Sequence, residues 1–316
     1  MTLAASHVTS PRVVSLITSA TEILHALGGG DLQVARSHEC DWPPGVLDLP
    51  QLTRPKFKVA GSSRDIDIAV KALVEQGLAV YEVDADRMKC VAPDVILTQD
   101  QCEVCAVSLA DVQRAVATWT ECRAEVISLR PHTMADIYAD NQRIADALGR
   151  SDAGLALNAS MRSRLVELGK RSIGLAKPRL AFVEWIDPPM SGGHWMPELI
   201  AMAGGVDLLG TSGTTSPWIS VADVVAVDPD VILVAPCGYD LEKTRAEMAV
   251  LDGNPDWRAL RAVREGRVFI ADGNAYFNRP GPRLVDSAEI IFDVLHTRLA
   301  GYGHLGTSVV RHCIAD

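Results

Sequence analysis

Thirty Lys and Arg residues are set against forty Asp and Glu in a chain of 316, a formal charge of −10, which excludes nucleic acid and an anionic membrane surface as main partners. Hydrophobic residues make up 48% and charged residues 22%, the balance of a globular chain with a sizeable core, so disorder and coiled coil are excluded as well. Length alone allows about two domains.

Asp, Glu, Arg or Pro breaks every apolar stretch before the ~18 residues that a bilayer crossing needs, so no membrane insertion is expected. Residues 1–12 lack the basic start, apolar run and small-residue cleavage site of a secretory signal. Seven cysteines, an odd number, then point to reduced thiols and a cytoplasmic location; a periplasmic one would need a start upstream of Met1.

Val13–Ile17 reads as a buried strand, followed by a helix with a capping box at Ser19 and Glu22 that ends at Gly28–Gly30. These glycines close a helix rather than open one, so its dipole points the wrong way for phosphate. A strand restarts at Leu32–Ala35. Further strands are expected at Ala79–Val83, Val95–Thr98 and Val126–Leu129, with helices at Asp65–Glu75 and Leu109–Trp119. Short apolar runs alternating with amphipathic helices are the signature of a mostly parallel sheet. From Thr133 to Ile173 the texture changes. Ile137, Ile144, Leu148, Leu155, Leu165 and Leu168 recur at helical spacing, which predicts a long, nearly continuous backbone helix with one break at Gly149–Gly154. After Pro178 the alternation returns, with strands at Leu180–Glu184, Val231–Val234 and Val268–Ala271. Helices are expected at Pro197–Ala203, Ala222–Val227, Leu241–Leu251 and Arg283–Leu299. The fold class is therefore α/β: two Rossmann-like α/β lobes, 1–132 and 177–316, joined by a long backbone helix within 133–176.

In open parallel sheets ligands bind beyond the carboxyl ends of the strands, and the loops there are unusual. They hold Ser37-His38-Glu39-Cys40-Asp41-Trp42-Pro43, then Gln99-Asp100-Gln101-Cys102-Glu103-Val104-Cys105. In the later half come 185–195 (WIDPPMSGGHW), Ser216-Pro217-Trp218, Pro236-Cys237-Gly238-Tyr239 and 272–282 (DGNAYFNRPGP). Four of the six tryptophans, Trp42, Trp185, Trp195 and Trp218, fall in these loops, where they expose large apolar area unless they pack on their own lobe or a flat apolar ligand covers them. Arg279 is the main cation among them. A strongly anionic ligand would want several, so a ligand of balanced charge fits better.

Thiols form a second constellation. Cys102 and Cys105 make a CxxC at a strand-to-helix junction, where the helix dipole favours thiolate. Cys40 lies two residues after His38, and Cys237 ends a strand in the other lobe. Thiolate and imidazole are ligands for zinc or an iron–sulfur cluster, and singly for cobalt or haem iron; the alternative is a set of small buried cysteines. Cys90, Cys122 and Cys313 read as structural, as do the isolated His132, His296, His304 and His312. There is no nucleophile elbow, phosphate-cradling glycine loop or zinc-protease helix.

In RVVSLITSATEILHALG near the start, HECDWP after the second strand, APDVILTQ, DPDVILVAP and GRVFIADGNAYFNRPGPRLVDSAEII near the end, the chain resembles the cobalamin and iron-complex substrate-binding proteins of ABC importers, over residues 12–300 and in the same order. The resemblance implies a ligand cleft between two lobes and a permease as partner. It also implies ligand contacts from His38, Glu39, Cys40, Asp41, Trp42, Gln99 and Asp100 on one lobe. On the other they would come from Trp185, His194, Trp195, Trp218, Tyr239, Asn274, Tyr276, Phe277 and Arg279. Within this scaffold's range of cargoes, the aromatic, cation-poor loops favour cobalamin or another corrinoid, a flat macrocycle rimmed with amides.

Three readings follow. The first is a binding protein for a corrinoid or related metallo-macrocycle with no turnover of its own, His38, Cys40 or His194 supplying an axial group. The second is a cytosolic thiol-ligated protein, enzymatic or not, in which Cys40, Cys102, Cys105, Cys237 and His38 hold zinc or an iron–sulfur cluster. The third is the conventional importer component.

Overall fold

A computed structural model describes residues 10–57, 59–75, 80–100, 112–113, 124–299 and 301–314. The chain divides into two compact units that are not consecutive in sequence. The first takes 1–58, 73–130 and 142–155; the second takes 59–72, 131–141 and 156–316.

In the first unit, β1 (Val13–Ser15) lies between β2 (Gln33–Arg36) and β5 (Val95–Gln99), with β6 (Glu125–Leu129) outside β5, and all these neighbours run parallel. Every residue of β1 and β5 is buried, which is why both read as unbroken apolar runs: helices and loops cover both faces of a parallel sheet. The chain leaves β1 toward β2 on one side and reaches β5 on the other, so the carboxyl ends at Ser15, Arg36 and Gln99 surround the point where strand order reverses. The return helix, Thr18–Ala26, closes at Gly28, whose φ of +71° suits glycine.

The expected capping box at its start is not formed. The helix begins one residue before Ser19, its N-cap is Ile17, and Ser19 and Glu22 are buried inside its first turns. The strand expected at 79–83 is Tyr81–Val83 (β4), and it pairs antiparallel with a strand the sequence did not signal, Thr53–Pro55 (β3), outside the parallel sheet. A further short helix, Ala85–Val91, is capped by the Asp84 carboxylate accepting from the Arg87 N–H at 2.9 Å. The helix expected at 109–119 lies, save for 112–113, outside the described residues.

In the second unit, β7 (Arg179–Trp185), β10 (Val231–Val234) and β11 (Val268–Ala271) form the parallel centre. Two-residue strands β8 (Met190–Ser191) and β9 (Val206–Asp207) flank β7, and β12 (Val309–His312) runs antiparallel beside β11. Alternate residues of the central strands enter two separate cores. Leu180, Phe182, Val231, Leu233 and Phe269 join the helix Leu284–Leu295 on one face. Ala181, Val183, Ile232, Val234 and Ile270 join Met248 and Trp257 on the other. The period-two alternation is present, but both halves of it are apolar because both faces are covered.

The helical segment is two helices, Met134–Ala147 and Ser151–Ser172, and the turn between them holds Gly149 at φ +66°, at the start of the expected break. Residues of this segment divide between the units at 141/142 and 155/156. Among the described residues no helix is long and apolar enough to cross a membrane.

Phe182 is fully buried, with its ring centroid 5.5 Å from that of Phe277. Replacing it with Ala should destabilise the chain by about 3–5 kcal/mol, read from the denaturant midpoint at constant slope.

Candidate functional site

The carboxyl ends of the strands place the predicted loops, and each unit is described by itself. In the first, β2 runs into a turn closed by the Cys40 N–H donating to the Ser37 carbonyl at 3.3 Å. This folds Cys40 back under the sheet. Its side chain is fully buried, and the Thr21 hydroxyl donates to its sulfur at 3.0 Å. Cys40 is therefore packed among core residues, where the sequence placed it among ligand-facing thiols.

The same turn leaves His38 against Thr53, with Nδ1 2.7 Å from the hydroxyl oxygen, and over the Tyr81 ring at 5.0 Å. Tyr81 donates its phenol proton to Glu39 Oε1 at 2.9 Å, and His38 Nε2 stands 4.0 Å from that oxygen. Burial of the imidazole, with a smaller contribution from the neighbouring Arg36 guanidinium, lowers its pKa to about 4. The network is made by loop residues the sequence flagged and by Thr53 and Tyr81, which it did not. At the next strand end Gln99 is buried, and Asp100 takes a two-pronged pair from Arg130, at 3.0 and 2.8 Å. Trp42 is 46% exposed.

In the second unit the loops fasten to one another through the backbone. The Ser191 N–H donates to Pro217 O at 3.0 Å, Ile219 N–H to Pro189 O at 2.9 Å and His194 N–H to Thr214 O at 2.6 Å. Gly193 is required where these segments meet, because a β-carbon there would stand 2.6 Å from backbone atoms of Thr214 and Ser216. The rings of Trp185, the last residue of β7, and Tyr239, just after β10, meet at a tilt of 56° with centroids 5.2 Å apart. The Trp185 indole nitrogen and the Tyr239 hydroxyl are buried and have no hydrogen-bond partner among the described residues. Burial, with the nearby Glu247 and Asp65 carboxylates, pushes the Tyr239 phenol well above its ordinary pKa. Trp218 is 54% exposed.

Three predicted contacts turn inward. Trp195 is 6% exposed and donates its indole N–H to Phe277 O at 2.9 Å, and Phe277 itself is 1% exposed. Arg279 is 5% exposed and donates to the Asn274 side chain at 3.0 Å. These residues shape the loops, and little of their own surface is left for a ligand. Tyr276 is partly buried and its hydroxyl accepts from Ser308 at 3.2 Å.

A stretch from earlier in the chain, 59–72, belongs to this unit, and it holds the first part of the helix Ser63–Glu75 onto the aromatic loops. Ser63 donates through N–H and hydroxyl to Glu247 at 3.1 and 2.9 Å. Arg64 Nε donates to Asp187 at 2.8 Å, and the Lys71 ammonium sits 4.8 Å above the Trp218 ring. Nothing in the local sequence announces this docking, since its partners lie more than a hundred residues away.

His132, read as isolated, is paired: its Nδ1 is 3.1 Å from Nδ1 of His194. It follows β6 by three residues, so the strand-end rule applied to that strand would have flagged it. Cys102 and Cys105 lie outside the described residues, and Cys237, partly buried, belongs to the other unit from Cys40. Among the described residues no three His, Cys, Asp or Glu side chains come together to hold a metal, so the thiol-cluster reading has no described site.

A profile of the periplasmic binding protein family matches residues 13–275. The vitamin B12-binding protein of Vibrio cholerae serotype O1 is 23% identical over 285 residues, covering 88% of this chain and 86% of that protein. The protein of the same description from Photorhabdus laumondii is 23% identical over 281 residues, covering 88% and 85%. Among solved structures, the periplasmic vitamin B12 binding protein of Vibrio cholerae superposes with a TM-score of 0.63 at 22% identity, covering 91% of this chain and 97% of that one. A periplasmic heme binding protein from Pseudomonas aeruginosa does so with a TM-score of 0.72 at 19% identity, covering 97% and 99%. The likeness to these structures establishes the fold.

An unfolded chain binds a proton at His38 near pH 6.5, and the folded one resists it down to about pH 4. The His38 contribution to stability is therefore kept above pH 6.5 and falls as pH drops through that window. NMR titration should find the His38 ring neutral until near pH 4, and His38→Gln should flatten part of the acid-side loss in melting temperature. The docked helix gives a second expectation: Arg64→Ala should leave the melting temperature nearly unchanged while speeding amide hydrogen exchange over 63–70.

Proposed function

The chain belongs to the periplasmic binding protein family, and on that premise we propose that it carries a corrinoid, or a related metal-containing macrocycle, and delivers it to an ABC-type permease. The observation that carries this reading is the aromatic surface of the second unit. Trp218 is half exposed on a loop tied to the strand ends, in the same set of loops as the tilted Trp185–Tyr239 pair. A corrin presents wide apolar faces, which indole rings cover with large area and little entropy loss, and a rim of amide carbonyls. The indole N–H of Trp185 and the phenol O–H of Tyr239, buried without partners among the described residues, are donors of the kind such carbonyls accept.

Arg279 is committed to Asn274, while the Lys71 and Lys243 ammonium groups stand over the Trp218 and Tyr239 rings at 4.8 and 3.9 Å. Relatives described as vitamin B12-binding proteins and a neighbour described as heme binding make a flat metal-bearing ring the common chemistry. No step of turnover is needed: the residues bind, cover and orient.

Titration of the purified protein with hydroxocobalamin, and separately with haemin, followed by calorimetry and tryptophan fluorescence, tests the reading. Saturable binding of one equivalent is expected. Trp218→Ala should weaken it by about 5- to 30-fold, the loss of roughly 1–2 kcal/mol of aromatic contact. Neither heat nor quenching with either macrocycle would remove the proposal.

A further inference from the structure

His132 and His194 come from distant parts of the chain, and their rings meet at the two Nδ1 atoms, 3.1 Å apart, with centroids separated by 5.1 Å. In the absence of anything between them, one Nδ1 carries the proton and the other accepts it. Each ring is fixed by its backbone. The N–H of His132 donates to Asp136 Oδ2 at 2.9 Å, which also takes the N–H and hydroxyl of Thr133, both at 2.8 Å. His194 adopts a left-handed backbone, φ 51°, uncommon for a residue with a side chain. Its N–H donates to Thr214 O at 2.6 Å, its carbonyl accepts from the Gly213 N–H at 3.0 Å, and its ring stacks on Trp195 at 5.6 Å. Two imidazoles are thus delivered to one point on preset scaffolding, and both residues are only partly buried.

We propose that His132 and His194 form a chelating site for a divalent transition-metal ion of the nickel, copper or zinc type, the ion taking a lone pair from each Nδ1 while the proton the two nitrogens share moves to Nε2 of the ring that carried it, so that both imidazoles stay neutral. Metal–nitrogen bonds of about 2.05 Å drawn to nitrogens this far apart enclose about 98° at the ion, between the square-planar and tetrahedral values. Imidazole is the donor these ions favour, whereas magnesium and calcium prefer oxygen. No third His, Cys, Asp or Glu joins the pair among the described residues, so water or a small exogenous ligand completes the coordination and the site stays open on one side. The ordering of the two side chains is already met by the fold, so little of the binding energy is lost in assembling them.

This inference does not rest on the macrocycle reading, and its test uses the metal alone. The full chain, without a polyhistidine tag and with its thiols alkylated, is titrated with Ni²⁺ by calorimetry, and its Cu²⁺ complex is examined by electron paramagnetic resonance. One equivalent bound in the micromolar range is expected, with hyperfine structure from two nitrogen donors. His132→Asn and His194→Asn should each weaken binding at least tenfold and reduce the pattern to one nitrogen. Asn tolerates the left-handed backbone at 194, and unchanged thermal melts would confirm that both variants fold. No binding by the parent chain, or binding that persists in the double variant, would overturn the proposal.

Discussion

Burial of the central strands on both faces is the constraint from which the rest of the molecule follows. β5 in one unit and β10 in the other are covered above and below, so neither sheet can offer a polar group from its faces without leaving it desolvated. The polar groups at the candidate site stand where strands stop. His38, Asp100, His132, Trp185 and Tyr239 all stand within a few residues of a strand's carboxyl end, and each is held there by a neighbouring loop.

Those loops are ordered chiefly by backbone hydrogen bonds between segments, as between 189–194 and 214–219. Side chains are then free to be costly. Trp185 and Tyr239 keep polar atoms buried and unmatched among the described residues, and His194 holds a strained backbone. Such departures from local optimum collect at places that bind something, because the surrounding framework bears the penalty.

The strands were legible because buried parallel strands are written as short apolar runs, and the break in the helical segment because Gly149 needs a positive φ. The short strands Thr53–Pro55 and Val206–Asp207 were not, since two or three residues carry no period. At the loops, strand-end placement singled out His38, Trp218 and Tyr239, but residue type could not say which way a side chain faces. Cys40 and Trp195 turned inward because a four-residue turn and an indole hydrogen bond decide their direction, and neither is visible in sequence. His132 was dismissed for lack of a neighbour along the chain, when its neighbour lies 62 residues on. The Arg64–Asp187 and Ser63–Glu247 bonds were hidden for the same reason.

The backbone changes allegiance five times, at 58/59, 72/73, 130/131, 141/142 and 155/156. Arg64, Lys71 and His132 therefore serve a unit whose bulk is encoded later in the gene. A single recombination crossover could not transplant that unit intact from one ancestor to another: joining at 156 would bring the sheet but leave behind the lysine that sits over the Trp218 ring and one imidazole of the pair.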